Sequence, residues 1–156
     1  MLDLFLVIAV VSNGLLAGVF FSFQIGVTRG FKHLDDKTYV GVFQAINSSI
    51  ENIPFLAVFF LAPVSALATT GALTLVGTEI DILVSLAATA CSVFTFAVTV
   101  LVHVPLNRNL AKAAVQEVRR DSRVRARFEW RWNLWNLYRT CAATGAMILF
   151  LAAGAG

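Results

Sequence analysis

LFLVIAVVSNGLLAGVFFSFQIGVT, Leu4 to Thr28, runs for 25 residues without an ionisable side chain. A helix rises 1.5 Å per residue, so about 20 apolar residues cross a bilayer's hydrocarbon layer. Three later stretches read the same way. Asn52–Thr78 and Ile82–Asn107 carry no charge when His103 is neutral, and Trp132–Ala153 carries only Arg139. None shows the period-2 alternation of a membrane β-barrel strand. Backbone polar groups in lipid must be satisfied within the segment, so all four are expected to be helices. The reading is all-α: one domain over residues 1–156, an integral membrane four-helix bundle with spans at about 4–26, 53–70, 82–105 and 132–153.

The composition agrees. The chain is 58% hydrophobic and 13% charged, against roughly 45–50% and 25% in soluble domains. A soluble domain this small has too little interior for so much apolar surface. Disordered, collagen-like and coiled-coil classes are excluded by the same figures. The two cysteines sit in apolar stretches with no CxxC or Cys/His spacing, so they read as small packing residues and no metal site is expected. The N-terminus lacks the basic region and cleavage site of a signal peptide and reads as a retained first span.

The connections set a topology. Of the 12 Lys and Arg, eight lie between Arg108 and Arg131, and Arg29, Lys32 and Lys37 lie in the first connection. The second connection and both termini have none. The positive-inside rule places connections one and three in the cytoplasm and both termini outside, in the cell (inner) membrane. The basic segment suits topology and anionic lipid, is expected to continue as a helical extension between spans three and four, and carries no nucleic-acid motif. In the first connection Asp35 and Asp36 can cap an amphipathic helix ahead of span two. Its apolar stripe is Tyr39, Val42, Phe43 and Ile46, and Gln44, Asn47 and Glu51 form a polar face.

Polar groups inside a membrane domain are costly and usually face an interior or a cavity. Here they gather at one end. Gln24 closes span one, Asn47, Glu51 and Asn52 lead into span two, Thr95, Thr99, His103 and Asn107 run down span three at intervals of four, and Asn133, Asn136, Arg139 and Thr140 open span four. A pocket open to the cytoplasmic side is expected. Arg139 either snorkels to the headgroups or turns inward to pair with Glu51 or a ligand anion. His103 suits proton abstraction near neutral pH or axial ligation of haem. Trp130, Trp132, Trp135 and Tyr138 read as an interfacial belt, or with Trp135 or Tyr138 stacked on a flat aromatic ligand. Gly14 and Gly18 form a GxxxG pattern that permits close helix contact within the chain or in a homo-oligomer.

Three segments, FQAINSSIENIPF (Phe43–Phe55), VHVPLNRNL (Val102–Leu110) and FEWRWNLWNLYRT (Phe128–Thr140), together resemble the anthrone-oxygenase-like (DUF1772) family of small four-span membrane proteins. Gln44, Asn47, Pro105, Leu106, Asn107, Trp132, Trp135, Asn136, Arg139 and Thr140 fall on its pattern; His103 departs from it, Asn being more usual there. The resemblance implies oxidation of a lipophilic, anthrone-like polycyclic phenol by O₂ to a quinone, without a cofactor. Under it Arg139, Asn136, His103 and Glu51 are the candidate catalytic residues. Gln44, Asn47, Asn107, Trp135, Tyr138 and Thr140 are candidates for substrate binding. The competing readings are a haem-binding membrane redox protein with His103 as axial ligand, and a non-enzymatic membrane subunit whose polar residues only knit helices together.

Overall fold

A computed structural model describes residues 1–112 and 122–154, and among them the chain is all-helical. Five helices follow in order: α1 (Leu2–Phe31), α2 (Asp36–Ile50), α3 (Ile53–Val76), α4 (Glu79–Lys112) and α5 (Ser122–Ala153). The four long ones form an up-down-up-down bundle, α1 against α3 and α5, and α4 against α3 and α5. α1, α3 and α4 are each long and apolar enough to cross a membrane. α5 completes the ring and holds Asn136, Arg139 and Thr140 within its length. Of the expected basic extension, Arg108–Lys112 and residues 122–131 are helical; 113–121 lie outside the described residues.

The helix ends follow from local chemistry. Asp35 caps α2 by accepting from the backbone N–H of Lys37 (3.0 Å) and Thr38 (3.2 Å). Asn52 caps α3 through the N–H of Phe55 (2.9 Å), with Pro54 in the first turn, where its missing N–H costs nothing. Thr78 and Asp81 form a reciprocal capping box at the start of α4.

Three layers make the core. At the end holding both termini, Ala9, Ala66, Ala88 and Phe150 meet. In the middle, Leu16, Phe20, Phe59, Ala62 and Ala143 meet. At the other end α2 lies against the tail of α4, and Tyr39, Val40 and Phe43 join Phe31, Leu110, Phe128 and Trp132. Small residues let helices approach inside lipid, where apolar burial gives no drive. α2 lies outside the spans, so burial of its aromatic face from water holds it on the bundle, at about 1.5–3 kcal/mol per large side chain. Of the two glycines of the GxxxG pattern, Gly14 faces Met147 of α5 (a Cβ there would sit 3.0 Å from Sδ), and a Cβ at Gly18 would meet nothing within 4 Å.

Arg125 anchors α2. Its Nη1 donates to the Leu34 carbonyl (2.7 Å) and the Asp36 carboxylate (2.9 Å), its Nη2 to the Phe31 carbonyl (2.8 Å), and its Nε to Glu129 (3.0 Å). The guanidinium also stacks 4.3 Å over the Tyr39 ring. Partial burial works against its charge, but the bonds to Asp36 and Glu129 outweigh that and hold it protonated more firmly than usual. Burial, with nearby Glu129, pushes the Tyr39 phenol above its ordinary range and keeps it neutral.

Candidate functional site

Beneath α2 the long helices diverge and leave a cavity of about 320 Å³, within the range of small-molecule sites. Its wall is mostly apolar, with Val19, Phe20, Phe23, Phe43, Phe55 and Phe59 prominent. Into it project Thr99, His103 and Asn107 from α4, Trp132 and Arg139 from α5, and Asn47 and Glu51 from the α2 end.

Arg139 turns inward and is only 6% exposed. Its guanidinium lies 4.0 Å over the Phe20 ring and 5.4 Å from the Trp132 ring. Nε donates to Asn136 Oδ1 (3.1 Å) and Nη1 to Thr99 Oγ1 (3.4 Å). The expected pair with Glu51 is not formed: among the described residues no carboxylate bridges to Arg139, and Glu51 accepts from Asn47 Nδ2 (3.2 Å) at the exposed rim. The mismatch is one of depth. Glu51 ends α2 above the cavity, and Arg139 sits two turns inside α5 from Trp132. A buried guanidinium is expensive without an anion and, among the described residues, is offset by two aromatic faces and two neutral acceptors.

Asn136 is fully buried and does not line the cavity. It donates through Nδ2 to the Phe20 carbonyl (3.0 Å) and to Gln24 Oε1 (3.0 Å), both on α1. Thr140 is equally removed, returning its hydroxyl to the Asn136 carbonyl (2.7 Å). His103 is 1% exposed, edge-on to Trp132 at 5.3 Å, and neither ring nitrogen has a hydrogen-bond partner. Among the described residues no three His, Cys, Asp or Glu side chains are grouped to hold a metal ion.

A second network closes the rim. Trp132 Nε1 donates to Asn107 Oδ1 (3.1 Å), Asn107 Nδ2 to Asn47 Oδ1 (2.6 Å), and Asn47 Nδ2 to Glu51. These bonds tie α5, α4 and α2 together and end on a carboxylate, which strengthens the chain's terminal bond. Gln44 lies outside the main cavity, in a polar groove shared with Asn47, Glu51 and Asn107, and reaches the Ala111 carbonyl (3.4 Å).

Two of the helices that line the site widen there. α1 is π-helical over Phe23–Val27 and α4 over Thr99–His103. A spacing of four overshoots the 3.6-residue turn, so Thr95, Thr99, His103 and Asn107 would drift around an ideal helix. The wider i→i+5 turn absorbs that drift. Thr99, His103 and Asn107 face the cavity as a result; Thr95 bonds to the Cys91 carbonyl and does not. π-turns cluster at functional sites, and no residue pattern in the sequence announces these two.

Trp135 and Tyr138 do not line the cavity. They contact each other edge-on at 5.6 Å on the outer side of α5, Tyr138 exposed. Trp132 takes the place expected of them. Spacing alone does not choose between Trp132 and Trp135, which stand three residues apart on one side of the helix. Gln24 belongs to the polar set that the sequence gathers at this end, whereas Phe20 joins the site without such a signal. Their role lies in one carbonyl and one side-chain oxygen reached from α5, which sequence spacing does not encode.

Residues 47–149 match the family described as anthrone oxygenase. The chain belongs to that family. The matched region takes in α3, α4, most of α5 and every cavity-lining side chain except those of α1 and of α2 before Asn47. The chain is thus a membrane protein of a family with oxygenase-like function. Comparison with curated proteins and with solved structures returns no match.

Proposed function

We propose that this protein is a membrane oxidoreductase that oxidises a lipophilic, anthrone-like polycyclic phenol with O₂ in the cavity beneath α2, using no bound cofactor. The observation that carries the reading is Arg139: a buried cation aimed into an aromatic slot, with no carboxylate partner among the described residues, beside a histidine whose ring nitrogens are both unpartnered. A planar substrate whose oxygen becomes anionic supplies the missing charge. The α2 end is assigned to the cytoplasm by its lysines and arginines, and the bundle to the inner membrane.

The chemistry balances without an external reductant. His103 takes a proton from the substrate's central CH₂, and the negative charge delocalises onto the carbonyl oxygen, where Arg139 holds it. The electron-rich anion reduces O₂ and combines with it at carbon. The proton returns from His103 to the resulting hydroperoxide. Loss of water leaves a new carbonyl, so one oxygen atom ends in the quinone and the other in water. Glu51 sits too near solvent to share the slot's dryness and serves the rim. Trp132, Asn47 and Asn107 shape the substrate's edge; Asn136 acts on Arg139.

The test is O₂ uptake and quinone absorbance in membranes supplied with a peri-hydroxylated anthrone. One O₂ per quinone is expected. Arg139→Ala and His103→Gln are each expected to lower turnover about a hundredfold or more, with the helical signal retained. Turnover unaltered in both variants would discard the reading. His103's unpartnered nitrogens also suit a haem iron, and a Soret band in protein expressed with ample haem selects that second reading. The non-enzymatic reading expects melting changes alone from the same variants.

A further inference from the structure

We infer that Gln24 is a positioning residue for Arg139, acting through Asn136, and that this three-residue strut fixes the orientation in which the guanidinium meets the substrate; the inference rests on the function proposed above. The Asn136 amide is saturated. An asparagine amide has two donor hydrogens on nitrogen and an acceptor oxygen. Asn136 spends both hydrogens on α1, one on the Phe20 carbonyl and one on Gln24 Oε1, each at 3.0 Å. Its Oδ1 is thereby turned toward Arg139 and takes the Nε–H at 3.1 Å. A flipped amide would face the guanidinium with N–H groups and strand two acceptors on α1.

The consequence reaches the cavity. With Nε held by Asn136 and Nη1 directed at Thr99 Oγ1, two of the guanidinium's three nitrogens are fixed, and among the described residues Nη2 has no hydrogen-bond partner while the side chain lines the cavity. The stack on Phe20 fixes the remaining tilt. Arg–anion recognition depends on that planar fork's orientation far more than a lysine point charge would. Gln24 lies in the π-helical stretch Phe23–Val27, and Phe20 lies one turn before it. The widened turn of α1 therefore presents both acceptors to α5, which gives the distortion a purpose that helix packing alone does not. Asn136 has no opening to the cavity, so its effect on chemistry runs through Arg139.

The experiment compares Gln24→Met, which keeps size and removes the acceptor, with Gln24→Glu, which keeps an acceptor oxygen. Full-length protein in membranes is assayed on the peri-hydroxylated anthrone for kcat and KM. Binding of a hydroxyanthraquinone is followed by the visible band of its phenolate as a function of pH. The expected result is a kcat about tenfold lower in Gln24→Met with KM within about threefold, and a bound dye that ionises at higher pH than in the parent. Gln24→Glu is expected to stay within about threefold of the parent in kcat. A Gln24→Met variant with parental kcat and dye ionisation overturns the strut while leaving Arg139 in its role. Equal impairment of both variants also overturns it, because keeping the acceptor oxygen would then make no difference. Should Arg139→Ala show parental turnover and dye ionisation, the proposed function falls and the strut falls with it. Circular dichroism on each variant separates loss of fold from loss of orientation.

Discussion

The two ends of the bundle both hold polar side chains and use them in opposite ways. At the end with the termini, short hydroxyls turn back on their own helices: Ser12 to the Ile8 carbonyl, Ser65 to Leu61, Thr69 to Ser65, Ser85 to Ile82. Crossing bonds there are short-range, as in the Thr70–Thr89 hydroxyl pair at 2.8 Å that links α3 to α4. Alanines fill the gaps, and the layer is close-packed. At the α2 end, long side chains reach between helices: Asn136 to α1, Asn107 to α2, Trp132 to α4, Arg139 to α4. Helices spaced by such groups cannot touch, and the cavity is what remains between them. Polarity in a membrane bundle is therefore not itself a site. It becomes one where side chains are long enough to hold helices apart.

The strongest way to break this contrast is to swap apolar groups into each end. Asn136→Leu should lower kcat on the anthrone probe by about a hundredfold, because Arg139 loses its Nε acceptor and α5 its tie to α1. The double change Thr70→Val and Thr89→Val removes crossing bonds of the other end. It should cost about 1 kcal/mol of stability, seen as a lower Tm in detergent, with kcat within about twofold of the parent. Equal losses of activity from both changes would mean that the two polar sets serve one purpose.

Second in size is release of α2. Arg125 holds two carbonyls, two carboxylates and an aromatic face at once, and its side chain is 13% exposed. Arg125→Met leaves the Phe31 and Leu34 carbonyls and Asp36 without their donor. A loss of about 2–3 kcal/mol is expected from bonds to a charged group. Limited proteolysis should then cut in the first connection well before the spans. No comparable latch holds the described Gly77–Thr78 turn at the opposite end, so cutting there should stay at the parental rate.

How much of this is written in the sequence divides along the same line. Charge-free runs announce spans because lipid penalises charge residue by residue, and the clustering of Gln24, Asn47, Asn107, Asn136 and Arg139 near one end comes from counting along those runs. The Asp35 cap and the amphipathic face of α2 are equally legible, since both depend on neighbours within a few positions. What sequence does not supply is rotation. Two π-turns change the phase of α1 and α4 midway, and a step of four fits α4 from Thr99 onward but not before it, so Thr95 falls off the face. Glu51 and Arg139 look level on a linear map and are separated once α2 lies across the bundle's end. Trp132 rather than Trp135 faces the cavity, and spacing alone does not choose between them.

The smallest effect expected is a pH dependence of the two helix caps, and it sharpens the contrast because the caps are alike where the ends are not. The Asp35 carboxylate is held below its ordinary range first by the Thr38 hydroxyl and then by the backbone N–H of Thr38, and Asp81 by the hydroxyl and N–H of Thr78. In both, the folded state binds the proton less readily than the unfolded chain. The stabilisation is therefore fully present above the ordinary carboxylate range near 3.8 and fades as pH falls through the lower folded value. Asp35 is exposed and Asp81 partly exposed, so the change in Tm should be slight at either site. The two caps differ in their consequences. Loss of the Asp35 cap loosens the first turn of α2, where Asp36 meets Arg125, and should speed proteolysis of the first connection below about pH 4. Loss of the Asp81 cap frays α4 at a turn remote from the cavity and should leave both that connection and dye binding untouched. Asp35→Asn and Asp81→Asn, each still able to cap but unable to titrate, should flatten the acid response at their own end alone.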